Sequence, residues 1–210
     1  MATSGSMVTA LAQNLGQSRA KVESVDRSLS EAGLRTTGGK GRSAAKMTGM
    51  DVVNVMFPLL MNAGASDAPA VAAQITKLPK TMSSVRNAPA SDDVLDQLAE
   101  GTDWSFFMLS DHADFPLGPA LSQTSTFGET LALLVDAMAA SDLTLPKNMA
   151  LKVKIINGGR QASIVFQVGN RVLRLLFGRR DASDNAPFAY QTCELDGNSL
   201  EKLAAIIRPA

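Results

Sequence analysis

Apolar residues recur at helical spacing near the start of the chain. Met7, Val8, Leu11, Ala12 and Leu15 share one side of a helix, the mark of an amphipathic segment. Gly16 stops that helix. Ser18 suits the N-cap of a second helix, in which Val22, Val25 and Leu29 form the apolar stripe. Gly33 stands where a left-handed C-cap closes it. The run Leu34-Arg35-Thr36-Thr37-Gly38-Gly39-Lys40-Gly41-Arg42 is too glycine-rich for helix, and its flanks are suited to pair as a short hairpin. Thr48 then caps a third helix through Val52, Val53, Val55, Met56, Leu59 and Leu60, with Pro58 predicting a kink or an early stop. The six residues before Met7 are small and polar and read as flexible.

Residues 63–92 are rich in Ala, Pro, Ser and Asp and read as a connection, with one short helix predicted over Ala70 to Lys77. Val94, Leu95 and Leu98 suggest another short helix, and Phe127 to Ala140 a longer one. The period then changes from helical to twofold. Ala150 to Ile156, Arg160 to Val168 and Arg171 to Phe177 are separated by Asn157-Gly158-Gly159 and Gly169-Asn170, which are hairpin turn signals. An antiparallel β-meander follows from these. In its middle run, Ala162, Ile164, Phe166 and Val168 alternate with Ser163, Val165 and Gln167, which predicts one apolar face turned inward. A fourth strand is expected near Phe188 to Leu195, and a last helix, capped by Ser199, would cover the sheet with Leu200, Leu203, Ile206 and Ile207.

The pattern therefore predicts an α+β chain. A helical helix-turn-helix domain occupies residues 1–62, the Ala/Pro-rich connection 63–92, and an α+β domain for oligomerisation or partner binding 93–210. Two small domains fit 210 residues. No apolar stretch reaches the roughly 18 residues needed to span a bilayer, and the start lacks the features of a signal peptide, so a cytoplasmic protein without membrane contact is expected. One cysteine, Cys193, excludes an internal disulfide and leaves no Cys/His set for a structural metal.

Net charge is zero, but its distribution is uneven. Residues 1–50 hold seven cations (Arg19, Lys21, Arg27, Arg35, Lys40, Arg42 and Lys46) against Glu23, Asp26 and Glu31. A basic head on an acidic body is the asymmetry of a protein whose head meets a polyanion. A helix, a glycine turn and a second helix with a polar start form a helix-turn-helix, whose second helix can enter the DNA major groove. With Val22, Val25 and Leu29 inward, the residues expected outward are Gln17, Ser18, Arg19, Lys21, Ser24 and Ser28. Arginine and glutamine can read base edges, while serine and lysine suit phosphates. Arg27, Arg35, Lys40, Arg42 and Lys46 would add contacts to the DNA backbone.

The run from Leu11 to Met47, with Ala32-Gly33-Leu34 ending a helix, the basic Gly38-Gly39-Lys40-Gly41-Arg42 loop and Met47-Thr48 opening the next, resembles winged helix-turn-helix domains of bacterial and prophage-type regulators. The resemblance implies a recognition helix over Ser18 to Ser28 and a wing over Arg35 to Lys46. The helix usual before such a pair is missing, and the third helix here would complete the bundle. Double-stranded DNA is the implied partner and a homodimer the implied assembly, since one short recognition helix reads few base pairs. Two alternatives stay open: a DNA-packaging subunit like the phage small terminases, and a module that binds protein instead of DNA.

Catalysis finds little support. His112 is the single histidine, in Ser110-Asp111-His112-Ala113-Asp114, and sequence neighbours do not assemble into a triad. Asp92-Asp93 reads as a helix start. Gly38 to Gly41 lacks the Lys-[Ser/Thr] ending of a phosphate-binding loop, so no cofactor is expected. Trp104, Phe106, Phe107 and Phe115 read as a core or a domain seam. Arg171, Arg174, Arg179 and Arg180 form a second basic cluster, read as a solvated sheet edge or a further nucleic-acid contact.

Overall fold

The computed structural model describes residues 3–38, 45–87, 115, 117–140, 149–156, 160–168, 171–178 and 193–208. They form seven helices and one five-stranded sheet, with helices leading and strands mostly following, an α+β protein. The chain divides into two compact bodies. The first takes Met1–Lys77, Gly128–Leu143 and Asn198–Ala210, and the second Leu78–Phe127 and Thr144–Gly197.

In the first body, α1 (Ser4–Leu15) begins earlier than the pattern suggested. Thr3 caps it, accepting from the Ser6 backbone while the Ser6 side chain returns to Thr3 N, so the polar start that read as flexible is helical from Ser4. Gly16 ends α1 at φ 62, ψ 28, a left-handed geometry that a side chain resists. Ser18 caps α2 (Arg19–Glu31), and Gly33 follows it at φ 70. Thr48 caps α3 (Gly49–Leu60) through a capping box with Asp51. Every residue of α3 from Asp51 to Leu59 is buried, as expected of a helix that is core on all sides. It packs on α1, α2 and α4 (Ala68–Thr76). The helix runs through Pro58 and stops two residues later, with Asn62 left-handed. The flanks of the glycine run, residues 34–38 and 45–48, do not pair as the expected hairpin. Leu34 O, Thr36 N, Thr36 O and Thr48 N are bonded to side chains instead, as described below.

The helix α5 (Gly118–Gln123) belongs to the second body, and α6 (Phe127–Ala139) to the first from Gly128 onward. The N-terminus of α3 abuts α6: Gly49 N donates to Asp136 Oδ1 at 2.7 Å, and a Cβ at Gly49 would sit 2.5 Å from Ala132 O. Asp136 therefore caps a helix remote in sequence. Asp136→Ala is expected to cost about 1 kcal/mol, the usual value of a lost N-cap, read as a lower thermal midpoint. The last helix, α7 (Gly197–Ile207), starts two residues before Ser199 and lies with the helices of the first body from Asn198, where Arg208 Nη2 donates to Met138 O.

The second body is the sheet. Strands β2 (Met149–Ile156), β3 (Gln161–Val168) and β4 (Arg171–Gly178) form the predicted antiparallel meander. Strand β5 (Cys193–Asp196) adds to β2, with Lys154 opposite Glu194. Strand β1 (Lys80–Asn87) adds to β4 and gives the order β1-β4-β3-β2-β5. The stretch read as a connection thus supplies both α4 and an edge strand. One face of the sheet is apolar: Phe127 meets Phe177 at 5.3 Å between ring centres, and Phe115 meets Phe166 at 6.1 Å. The other is not solvated as the alternation implied, since Ser163, Gln167 and Arg174 on it are all buried. Among the described residues, no helix is long and apolar enough to cross a membrane.

Candidate nucleic-acid interface

The turn between α1 and α2 spans three residues, Gly16 to Ser18. Gln17 N closes it on Ala12 O at 3.0 Å, and Ser18 Oγ accepts from Lys21 N at 3.3 Å. Arg19, Ala20, Glu23, Ser24, Arg27 and Glu31 form the exposed face of α2, while Val22, Val25, Asp26 and Leu29 are buried.

The eleven residues expected to touch DNA fall into four groups. Ser18, Arg19, Ser24, Arg27 and Lys46 are exposed, and Gln17, Lys21 and Ser28 are half-buried. Lys21 Nζ donates to Asn62 Oδ1 at 2.6 Å, which draws it toward the end of α3. Lys40 and Arg42 lie outside the described residues. Arg35 points inward: its Nε lies 2.8 Å from Asp26 Oδ1, and the two side chains are 12% and 9% exposed. Its Nη1 donates to Thr36 O at 2.8 Å.

Two acidic residues alter the electrostatics of the helix. Glu23 and Glu31 share the exposed face with Arg19 and Arg27, so that face carries no net charge. Arg19 Nε and Glu23 Oε1 pair at 2.7 Å. An exposed i,i+4 pair of this kind contributes only about 0.3–0.5 kcal/mol, so a phosphate can displace Glu23 at little cost. Arg27 lies between Glu23 and Glu31 on this face, whereas Arg19 has Glu23 alone.

The residues that flank the glycine-rich segment in sequence are held by side chains of α2 and α3. Asn54 Nδ2 donates to Leu34 O at 2.7 Å. Thr36 N donates to Asp51 Oδ1 at 2.6 Å, while Asp51 Oδ2 accepts from Thr48 N and Oγ1 at 2.8 and 2.9 Å. Ser4 Oγ of α1 donates to Asp26 Oδ2 at 2.9 Å. Burial raises the Asp26 carboxyl above its ordinary range, against the lowering effects of Arg35 and the Ser4 hydrogen bond, and Asp51 adds a smaller upward push. A cavity of about 470 Å³ runs beside the Asp26–Arg35 pair, edged by Ser4, Val8, Glu23 and Arg27. At the base of the loop, a Cβ on Gly38 would lie 2.5 Å from Ala45 N, so the chain leaves and re-enters at one point.

Neither Asp26 nor Asp51 was singled out from the sequence. Asp26 had a legible signal: it follows Val22 by four residues and precedes Leu29 by three, the position of a core residue. A carboxylate there calls for a partner.

The remaining candidates resolve as follows. Arg174 is 5% exposed and so forms no solvated edge, while Arg171, half-buried, lies over the Phe115 ring, 5.6 Å from its centre. Arg179, Arg180, His112, Asp92, Asp93, Trp104, Phe106 and Phe107 lie outside the described residues. Cys193 is half-buried, and burial, with Glu194 nearby, pushes its thiol to about 11. Among the described residues, no group of three His, Cys, Asp or Glu side chains is placed to hold a metal.

No family model, curated protein or solved structure matches the chain.

Proposed function

We propose that the helical head binds double-stranded DNA as a helix-turn-helix, in a dimeric regulator of the phage or mobile-element type. The observation that carries this reading is the three-residue, left-handed turn that presents Ser18 and Arg19 at the exposed start of α2. Recognition helices contact base edges mainly with their N-terminal residues. Further along α2 the exposed Glu23 and Glu31 outweigh Arg27, which fits an end-on approach in which Gln17 to Lys21 and the basic loop meet the duplex. Ser24 and Arg27 then lie at the margin of the contact.

Fluorescence anisotropy with a short duplex over a salt series tests the reading. The expected affinity falls steeply with salt, each neutralised phosphate adding about −0.9 to the log–log slope. Arg19→Ala with Lys21→Ala should flatten that slope by about 1–2. Binding that is absent or indifferent to salt would contradict it.

The alternating Arg19, Glu23, Arg27 and Glu31 on the exposed face also favour a second reading, a protein partner docked along α2. Under it the duplex would not bind, and charge reversal at Glu23 or Glu31 would abolish partner capture.

A further inference from the structure

We infer that the cleft between α1 and α2 binds a small α-amino acid in its zwitterionic form. The cavity of about 470 Å³ beside the Asp26–Arg35 pair is within the size range of small-molecule sites. Ser4, Gly5 and Val8 of α1 form one wall, and α2 from Glu23 to Glu31 forms the other, with Arg35 beyond it. The charges of this lining are mixed and incompletely paired. Arg27 and Glu31 are exposed, stand one turn apart on α2, and have no ion-pair partner among the described residues. Arg35 turns Nε toward Asp26 and Nη1 to Thr36 O. Its Nη2 has no acceptor among the described residues and, unlike Nε, is not sealed from solvent. Asp26 takes one hydrogen bond, from Ser4, since its Oδ1 and Arg35 Nε lie close without forming one.

Such a lining discriminates by the sign of the ligand's charge. A lone anion gains from Arg27 and Arg35 but meets Glu23, Asp26 and Glu31. A lone cation gains from the carboxylates but meets the two guanidiniums. An α-amino acid satisfies both, its carboxylate on the guanidiniums, whose planar fork suits it, and its ammonium on the glutamates. Val8 is the one apolar side chain of the lining, and a Cβ at Gly5 would meet nothing within 4 Å. The α1 wall therefore leaves room for a short aliphatic side chain.

The inference stands apart from the DNA-binding reading, and no duplex enters its test. The full-length protein is titrated with L-norvaline, pentanoate and butylammonium and followed by amide chemical shifts; the last two probes each lack one charge of the first. L-norvaline should give saturable shifts at Ser4 to Val8 and Glu23 to Arg35. Each single-charge probe should bind weaker by about tenfold or more, because it leaves site groups of one sign unpaired. Gly5→Leu, which fills the α1 wall, should abolish the shifts, and Arg27→Gln or Glu31→Gln should weaken L-norvaline about three- to tenfold. Thermal transitions establish that the variants are folded, and the two α2 variants, at exposed positions, decide if Gly5→Leu is not. Shifts that do not saturate, that survive all three substitutions, or that pentanoate or butylammonium matches in affinity would overturn the inference.

Discussion

Gly178→Ala is expected to lower the stability of the sheet body by about 3–5 kcal/mol, combining the strain of a left-handed non-glycine residue with that of overpacking. Gly178 closes β4 at φ 80. Its N–H donates to Pro79 O at 2.9 Å, where the chain enters β1, and its Cα faces Gln161 at the start of β3. A Cβ there would lie 2.1 Å from Arg160 O and 3.2 Å from Leu78 Cδ2. The obstacle at 2.1 Å is backbone, which cannot turn aside as the tip of a side chain can. Relief requires the β3 entry to move, and with it the register of β3 on β4. A urea or thermal transition read on a sheet-specific signal gives the cost. Gly5→Ala is the control, because a Cβ there meets nothing within 4 Å and alanine should favour α1 by a few tenths to about 1 kcal/mol. Equal stability of the Gly178 variant and the parent would contradict the account of this corner.

Arg35→Leu is the second substitution with a large expected effect. Removing one member of a buried ion pair typically costs about 3–5 kcal/mol, because the survivor stays desolvated and unpaired. The survivor here is Asp26, whose carboxyl is already raised from 3.8 by burial, with Arg35 the main opposing influence. A carboxyl raised in the folded state contributes stability fully present below its unfolded value and lost as pH rises through its folded value. Without Arg35 the folded value moves higher still, so the loss reaches further toward neutral pH. Arg35→Leu should therefore be much less stable than the parent at pH 7 and recover part of the deficit near pH 5. Adding Asp26→Asn should remove both the deficit and its pH dependence. Unfolding at the two pH values checks this, and a deficit of the same size at both would show that Asp26 is not its origin.

Local signals in the sequence were strong at four helix ends, though not at Ser199, which lies inside the helix it was expected to cap. Gly16, Ser18, Gly33 and Thr48 each occupy the terminus their chemistry suggests. The meander was legible for a similar reason, since β-branched runs between glycine turns have few other outcomes. Strand β1 was not. Lys80-Thr81-Met82-Ser83-Ser84-Val85-Arg86-Asn87 carries two apolar residues and no clean alternation, and its conformation comes from pairing with β4, some ninety residues away. The second buried face of β3 was hidden too, because Ser163 and Gln167 look like solvent-facing positions until the neighbouring Arg174 is known to be buried.

The candidate interface was legible in its outline but not in its charges. Spacing placed Ser18 and Arg19 at the start of α2. Summing charge over residues 1–50 included Glu23 and Glu31 without placing them on the face that carries Arg19 and Arg27, and treated Arg35 as an outward ligand. Which cations are committed inward depends on Asp26, Asp51 and Asn54, whose partners meet them only in the folded head.

An amide chemical-shift titration of the isotopically labelled full-length protein with a short duplex at low salt tests the proposed DNA binding residue by residue. The largest perturbations are expected at Gln17 to Lys21 and at Ala45 to Thr48, saturating together and reversing as salt is added, with β2 to β4 unaffected. Perturbations confined to the sheet, or none at a several-fold excess of duplex, would contradict it.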